Sequence, residues 1–540
     1  MTIRESQRLA GMSVAIALAA AASAQPTSVV GGPHNLSAGG TGPVRAASET
    51  EVCIFCHAPH NTSPIQPLWN RALPPDGYSI YTSRALDANP GQPTGASKMC
   101  LSCHDGTIAL GAVVSRGAPI AMAGGVTTMQ NGHGRIGTDL RDDHPVSFTY
   151  DAALSAREPK LRSPAALPAE IKLDANQELQ CTTCHDAHND SNGAFLVAPN
   201  AASQICTSCH MVGTTTVAGH AACDACHQPH TAPSGPYLLR GANATQTCQR
   251  CHDGSVPDAP NLRADLGKPW HHDTRSPVDP PDPQTEHTGC TSCHDPHTMG
   301  RGAGTAPSTH ANFGRIAGMN ASGAPVAAAL TEAEVCFRCH ADGNSQQPRV
   351  ARRIVQNNTR LEFALNATSS HPVLGPGHNS NVPSLMAPWA VSSVLYCSDC
   401  HASESGASAG GSGPSGTHGS VNSPILIARY ETADNSSESA SAYALCYRCH
   451  DRASILDDRS FKGHNKHIVG LRTPCSACHD SHGIAPSQGN SVNNTNLINF
   501  ATGIVQPNSA GKLEFRDTGT YRGQCSLKCH GTEHAGTAYP

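Results

Sequence analysis

All 24 cysteines of this 540-residue chain fall into close pairs, and each pair is followed at once by a histidine. Eleven pairs read Cys-x-x-Cys-His: Cys53 and Cys56 with His57, Cys100 and Cys103 with His104, Cys181 and Cys184 with His185, Cys206 and Cys209 with His210, Cys223 and Cys226 with His227, Cys248 and Cys251 with His252, Cys290 and Cys293 with His294, Cys336 and Cys339 with His340, Cys397 and Cys400 with His401, Cys446 and Cys449 with His450, and Cys475 and Cys478 with His479. The twelfth, Cys525 and Cys529 with His530, has three residues between its thiols. No cysteine is left over for a disulfide or a reactive thiol.

Two cysteines separated by two residues and followed directly by histidine are the attachment pattern of a c-type haem, in which the thiols add to the vinyl groups and the histidine binds the iron. Paired cysteines with histidine also occur in zinc sites. Zinc does not require histidine immediately after the second cysteine, so the repeated contiguity favours haem. The expectation is twelve covalently bound c-type haems and twelve proximal histidines.

Composition agrees with a chain that cannot build an ordinary core. Apolar residues make up 38% and aromatics 4%, with 50 glycines and 40 prolines; this is poor in core-filling side chains and rich in turn formers. Residues 1–24 read as a secretory leader, with Arg4 and Arg8 ahead of a short apolar run and Ala22-Ser-Ala24 as the cleavage site. Beyond that leader the chain has about 43 residues per motif, too few for a private domain around each cofactor. Neighbouring haems must share walls. The expected fold is therefore mostly irregular, with short α-helices and very little β, organised around a packed chain of twelve haems.

Three regions are expected to follow the leader: residues 25–165 with two motifs, 166–305 with five and 306–540 with five. No segment is apolar for long enough to cross a bilayer. The formal net charge is -5 and no basic patch stands out, which excludes nucleic acid as the natural partner. Redox proteins or extracellular acceptors such as metal oxides suit the chemistry, at a periplasmic, extracellular or outer-surface location. Ser48, Asn176, Asn243, Thr331 and Ser441 each stand five residues before a motif and are expected to cap short helices there. Leu361–Leu365 and Ser423–Tyr430 are the best candidates for strands.

Of 31 histidines, the nineteen outside the motifs can supply second axial ligands. The favoured set is His34, His60, His144, His188, His220, His230, His287, His297, His371, His418, His467, His482 and His534. It is one longer than twelve, and His271 or His272 could replace a member. His133, His310, His378 and His464 read as surface histidines. His60, His188, His230, His297 and His482 each follow a proximal histidine by three residues. So short a tether cannot reach the other face of its own haem, so each is expected to bind the iron of a neighbour.

These residues resemble the multihaem c-type cytochromes with doubled Cys-x-x-Cys-His motifs, including exported ones used in extracellular electron transfer. The likeness rests on Pro33-His34-Asn35-Leu36 ahead of Cys53, on Asp143-His144-Pro145-Val146, on Thr417-His418-Gly419, and on the run from Cys475 to His482. It implies an exported electron carrier with bis-histidine haems, and some such relatives polymerise, so a homopolymer is among the assemblies it allows. The rival expectations are a multihaem reductase of nitrogen or sulfur oxyanions with one open haem, and a conducting filament. Every motif here carries histidine, whereas reductases of the nitrite-reducing kind have lysine at the proximal place of the active haem, which counts against the enzyme.

Overall fold

The computed structural model describes residues 28–60, 68–132, 134–213, 215, 217, 219–274, 289–342 and 348–539. The leader, His133 and His287 lie outside them. The chain divides into two compact units, Met1–Met211 and Val212–Pro540.

Both units are mostly irregular, with few short helices and small sheets. The longest helix, Gly95–His104, has ten residues. Helices of nine residues, Ala244–His252 and Glu332–His340, carry two further motifs. Glu332–His340 starts where the sequence places it: Thr331 accepts from the Glu334 amide and the Glu334 carboxylate accepts from the Thr331 amide, the reciprocal arrangement of a capping box. Asn243 likewise accepts from the Gln246 amide.

At the other three expected caps no such helix begins, because backbone pairing claims those residues first. Glu178–Leu179 pairs with Phe148–Thr149 just after Asn176. Ala46 bridges Met122 and Ala47 donates to the Ala121 carbonyl ahead of Cys53. Glu431 donates to the Ala442 carbonyl and Leu445 to that of Arg429 on either side of the turn that follows Ser441. The helical segments in these places shrink to single turns, Cys181–Cys184, Cys53–Phe55 and Cys446–Arg448.

The strand expectations fail at both places. Leu361 sits in the helical turn Thr359–Glu362. Within Ser423–Tyr430 the bonds go to separate partners, Leu426 to Asn422 and Ile427 to Cys400, so no ladder forms even though Leu426 and Ile427 are buried. The longest strands lie at the chain's end instead. Val505–Gln506, Glu514–Gly519, Arg522–Cys529 and Thr532–Tyr539 make one antiparallel sheet in which Arg522–Cys529 pairs with all three others. One face of it closes on Val505, Leu513, Phe515 and Leu527, with Ala477 and Phe500. The sequence signal for this sheet is faint because few of its positions are apolar and its exposed ones mix Arg516, Arg522, Lys528 and Glu533 with Gly, Thr and Ala.

Apolar packing is split into small clusters that end at the motif cysteines. In the first unit Leu36, Val44, Ala46, Phe55, Leu110 and Met129 pack against Cys56 and Cys103. In the second, Phe337, Phe363 and Val373 meet Cys397, and Tyr443 and Ile468 meet Cys475. Among the described residues no helix is long and apolar enough to cross a membrane.

Polar clamps reinforce this thin core. Arg71 is fully buried and donates to the carbonyls of Leu110, Ser102 and Ala109 at 2.8, 2.9 and 3.0 Å, tying the loop after Cys103 to that after Cys56. Arg71→Met keeps the bulk but strands three acceptors, and a buried unsatisfied group costs about 1–3 kcal/mol. The variant is expected to lose about 3–5 kcal/mol, read as a fall in the urea midpoint. A midpoint unchanged from the parent contradicts the clamp.

Candidate haem sites

The eleven Cys-x-x-Cys-His motifs use their two intervening residues to close one turn. The amide of the histidine donates to the carbonyl of the first cysteine at 2.8 Å for His57 and at 2.9 Å for His185, His210, His227, His294 and His401. The turn sets both thiols at one edge and carries the histidine beyond them.

The histidine is then fixed by a recurring device. At His185, His227 and His479 a second segment arrives through two consecutive residues with positive φ: Ala194-Phe195, Tyr237-Leu238 and Asn496-Leu497. The first of the two offers its carbonyl to the imidazole Nδ1, at 2.9, 2.8 and 2.9 Å. The second accepts from the amide after the histidine, on Asp186, Gln228 and Asp480. The next residue, Leu196, Leu239 or Ile498, bridges the histidine backbone. A carbonyl can only accept, so the proton resides on Nδ1 and Nε2 keeps its lone pair, the tautomer a metal needs. His104, His252, His294 and His401 likewise turn Nδ1 to carbonyls, of Gly134, Pro260, Asn312 and Pro424.

Opposite nine of the motif histidines stand other imidazoles. A metal–imidazole bond is about 2 Å long, so two imidazoles on opposite sides of one iron have ring centres about 6 Å apart. In the first unit His34 faces His104 at 6.1 Å, His188 faces His57 at 6.2 Å, and His144 faces His210 at 6.1 Å. In the second, His220 faces His252 at 5.9 Å, His297 faces His227 at 6.2 Å, and His272 faces His340 at 6.2 Å. There too His418 faces His294 at 6.2 Å, His482 faces His401 at 6.1 Å, and His464 faces His479 at 6.4 Å. Each of these pairs joins one motif histidine to one from outside the motifs. His371 lies beside His450. Burial pushes His401, His418, His450 and His464 down to about 4, which keeps them neutral and able to ligate.

The residues fit a c-type haem better than zinc. Among the described residues no three His, Cys, Asp or Glu side chains converge as a zinc site requires. Zinc also needs thiolates, whereas burial pushes Cys56, Cys184, Cys400 and Cys478 up to about 12.

Successive motifs adjoin one another through their cysteines. First cysteines are hydrogen-bonded in the pairs Cys100–Cys181, Cys248–Cys290, Cys336–Cys397 and Cys446–Cys475. Second cysteines neighbour each other in the pairs Cys56–Cys103, Cys184–Cys209, Cys226–Cys251 and Cys400–Cys449, and Cys478 lies near Cys525 and Cys529. Cys293 lies near Cys336, and Arg338 reaches the Ser292 carbonyl at 3.3 Å. Within each unit the motifs therefore adjoin in sequence order.

Two facing residues lie outside the favoured set. His464 is not a surface residue but half-buried opposite His479, and His272, rather than His271, faces His340. Four favoured residues take other positions. His60 and His230 are exposed. His467 turns Nδ1 to the Gly463 carbonyl at 2.6 Å and stacks near Phe461, and His534 contacts the Tyr539 hydroxyl at 3.1 Å. His310 packs on Tyr396, with ring centres 4.4 Å apart, and stands 3.6 Å from Glu332. His378 is exposed.

The twelfth motif is built differently. Cys525 and Cys529 lie on the strand Arg522–Cys529, with a register shift after Cys525. His530 leaves that strand at φ +46°, and its Nε2 engages both carboxylate oxygens of Asp434, at 2.9 and 3.0 Å.

A family model for the doubled CXXCH motif matches residues 175–214 and 216–256. These spans contain the motifs beginning at Cys181, Cys206, Cys223 and Cys248. No curated protein matches the chain. The paired motifs indicate covalently bound c-type haem, and the chain carries the doubled CXXCH motif in keeping with a multihaem c-type cytochrome.

Proposed function

We propose that the chain is a dodecahaem c-type cytochrome that carries electrons along a row of bis-histidine haems outside the cytoplasm, in respiratory or extracellular electron transfer. The observation that carries this reading is the set of facing imidazoles about 6 Å apart. Haem iron held by two imidazoles cycles between ferric and ferrous at low potential and has no free position for substrate. The chain's own residues hold the imidazoles by their Nδ1 atoms, pin each cofactor by two thioethers, and bring neighbouring attachment points together in sequence order. Redox proteins or mineral acceptors would meet the exposed ends of such rows.

His188, His297 and His482 support the stapling expectation in a specific form. Each follows the motif of one site and faces the proximal histidine two motifs earlier, at Cys53, Cys223 and Cys397 respectively. A haem is thus held by residues of a later motif.

Electrospray mass of the exported protein is expected to exceed that of the leader-free chain by twelve haems, and oxidised spectra are expected to be low-spin. A mass increment of four haems or fewer, or a mainly high-spin spectrum, defeats the proposal. One observation favours the oxyanion-reductase reading, the engagement of His530 by Asp434. That reading requires one high-spin haem together with turnover of nitrite, hydroxylamine or tetrathionate.

A further inference from the structure

The imidazoles that turn Nδ1 to the backbone meet a neutral acceptor. His482 meets a carboxyl group. Its Nδ1 contacts Oε2 of Glu362 at 3.1 Å, and the Glu362 side chain is only 9% exposed. Glu362 closes the helical turn Thr359–Glu362, and the next residue, Phe363, lies against the His482 ring at 5.2 Å. Carboxylates near the other such histidines are farther away and wet: Asp186 is 3.6 Å from His188 and Asp295 is 3.7 Å from His297. Those separations exceed hydrogen-bond length.

A ligand imidazole whose outer N–H is drawn toward a carboxylate becomes a stronger donor to the metal. Negative charge close to the iron stabilises ferric over ferrous, and burial strengthens the effect because water does not screen it. The partner ring, His401, bonds a neutral carbonyl, so the asymmetry at this site comes from Glu362.

We infer that Glu362 is a positioning residue that sets the haem attached at Cys397 and Cys400, between His401 and His482, as the lowest in potential among the haems of the described motifs. The inference rests on the bis-histidine reading. Its consequence is directional. The Cys397 site adjoins those of Cys336 and Cys446, so electrons crossing the Val212–Pro540 unit meet an uphill step there. Exchange across it slows while haems on either side equilibrate fast.

Glu362→Gln keeps an acceptor oxygen and removes the charge. In a spectroscopic redox titration of the haem-loaded protein, the last fraction to be reduced is expected to shift by about tenfold in its reduction equilibrium, which is about 59 mV for one electron. Its amplitude should be that of one haem, with haem content and low-spin spectrum unchanged. Glu362→Asp, which retains charge on a shorter arm, should move the same fraction less. If all haems are low-spin and neither variant moves the lowest step, the inference is overturned and the electron-carrier reading stands. If the parent protein is not low-spin, the reading itself fails first. A purely structural Glu362 would reduce haem content or stability and leave the lowest potential where it was.

Discussion

Replacing His464 by alanine in the haem-loaded protein is expected to convert one low-spin haem to a high-spin haem that binds carbon monoxide, while His467→Ala opens no further haem by the same measure. The two histidines are three residues apart, so the pair tests geometry rather than proximity. His464 faces the proximal His479 at 6.4 Å. Its Nδ1 is buried without a hydrogen-bond partner, and burial pushes the ring down to about 4, which leaves it neutral and unsatisfied. His467 spends its Nδ1 on Gly463 and shares an aromatic group with Phe461 and Tyr539. Carbon monoxide titration of the dithionite-reduced variants counts open irons directly. An open iron in His467→Ala with none in His464→Ala reverses the assignment.

The positions of these two rings show where sequence stops being legible. The Cys-x-x-Cys-His motifs can be read because the attachment chemistry they indicate requires the cysteines and the histidine in one contiguous turn. Tail histidines such as His188, His297 and His482 are expected to face a neighbouring motif because three residues are too few to reach round a macrocycle, and each does face the histidine of another motif. A ligand arriving from a distant loop has no such local constraint. His464 stands just before and His467 within one irregular helical turn, Lys466–Gly470; His467 bonds the Gly463 carbonyl and His464 is the ring that faces His479. His271 and His272 pose the same problem in extended backbone. Adjacent residues of a strand point to opposite sides, and pairing of Trp270–His271 with Gly419–Ser420 determines which side holds His340.

The fold was legible to a similar extent. Scarce apolar residues and frequent glycine and proline predict irregular structure, and irregular structure is what both units show. Helix starts at Asn243 and Thr331 follow from local capping, whereas Ser48, Asn176 and Ser441 lose to long-range backbone pairing that no local signal announces. The terminal sheet was invisible because its inner face needs only a few apolar residues, among them Val505, Phe515 and Leu527.

The second large effect concerns the order of the sites. Removing the haem at Cys336 and Cys339, by changing both to serine, is expected to slow electron passage across the Val212–Pro540 unit by orders of magnitude. Cys336 adjoins Cys397 on one side and Cys293 on the other, so this site links the Cys290 and Cys397 sites in the row, and electron tunnelling falls steeply with distance. The helix Glu332–His340 should survive the change, since Thr331 and Glu334 cap it and Phe337 anchors it. Lys528, whose side chain is 47% exposed, gives a place to couple a ruthenium photosensitiser at the Cys525 end. His220→Met turns the Cys248 haem, whose His252 it faces, into a higher-potential reporter with a distinct spectrum, because methionine ligation raises the potential. After a flash, the reporter should be reduced in the otherwise intact protein. It should stay oxidised on that timescale in the double-serine variant, while haems nearer Lys528 are reduced as before. Undiminished arrival at the reporter means that electrons do not follow the order of the motifs, and the row inferred from touching cysteines is then not the path.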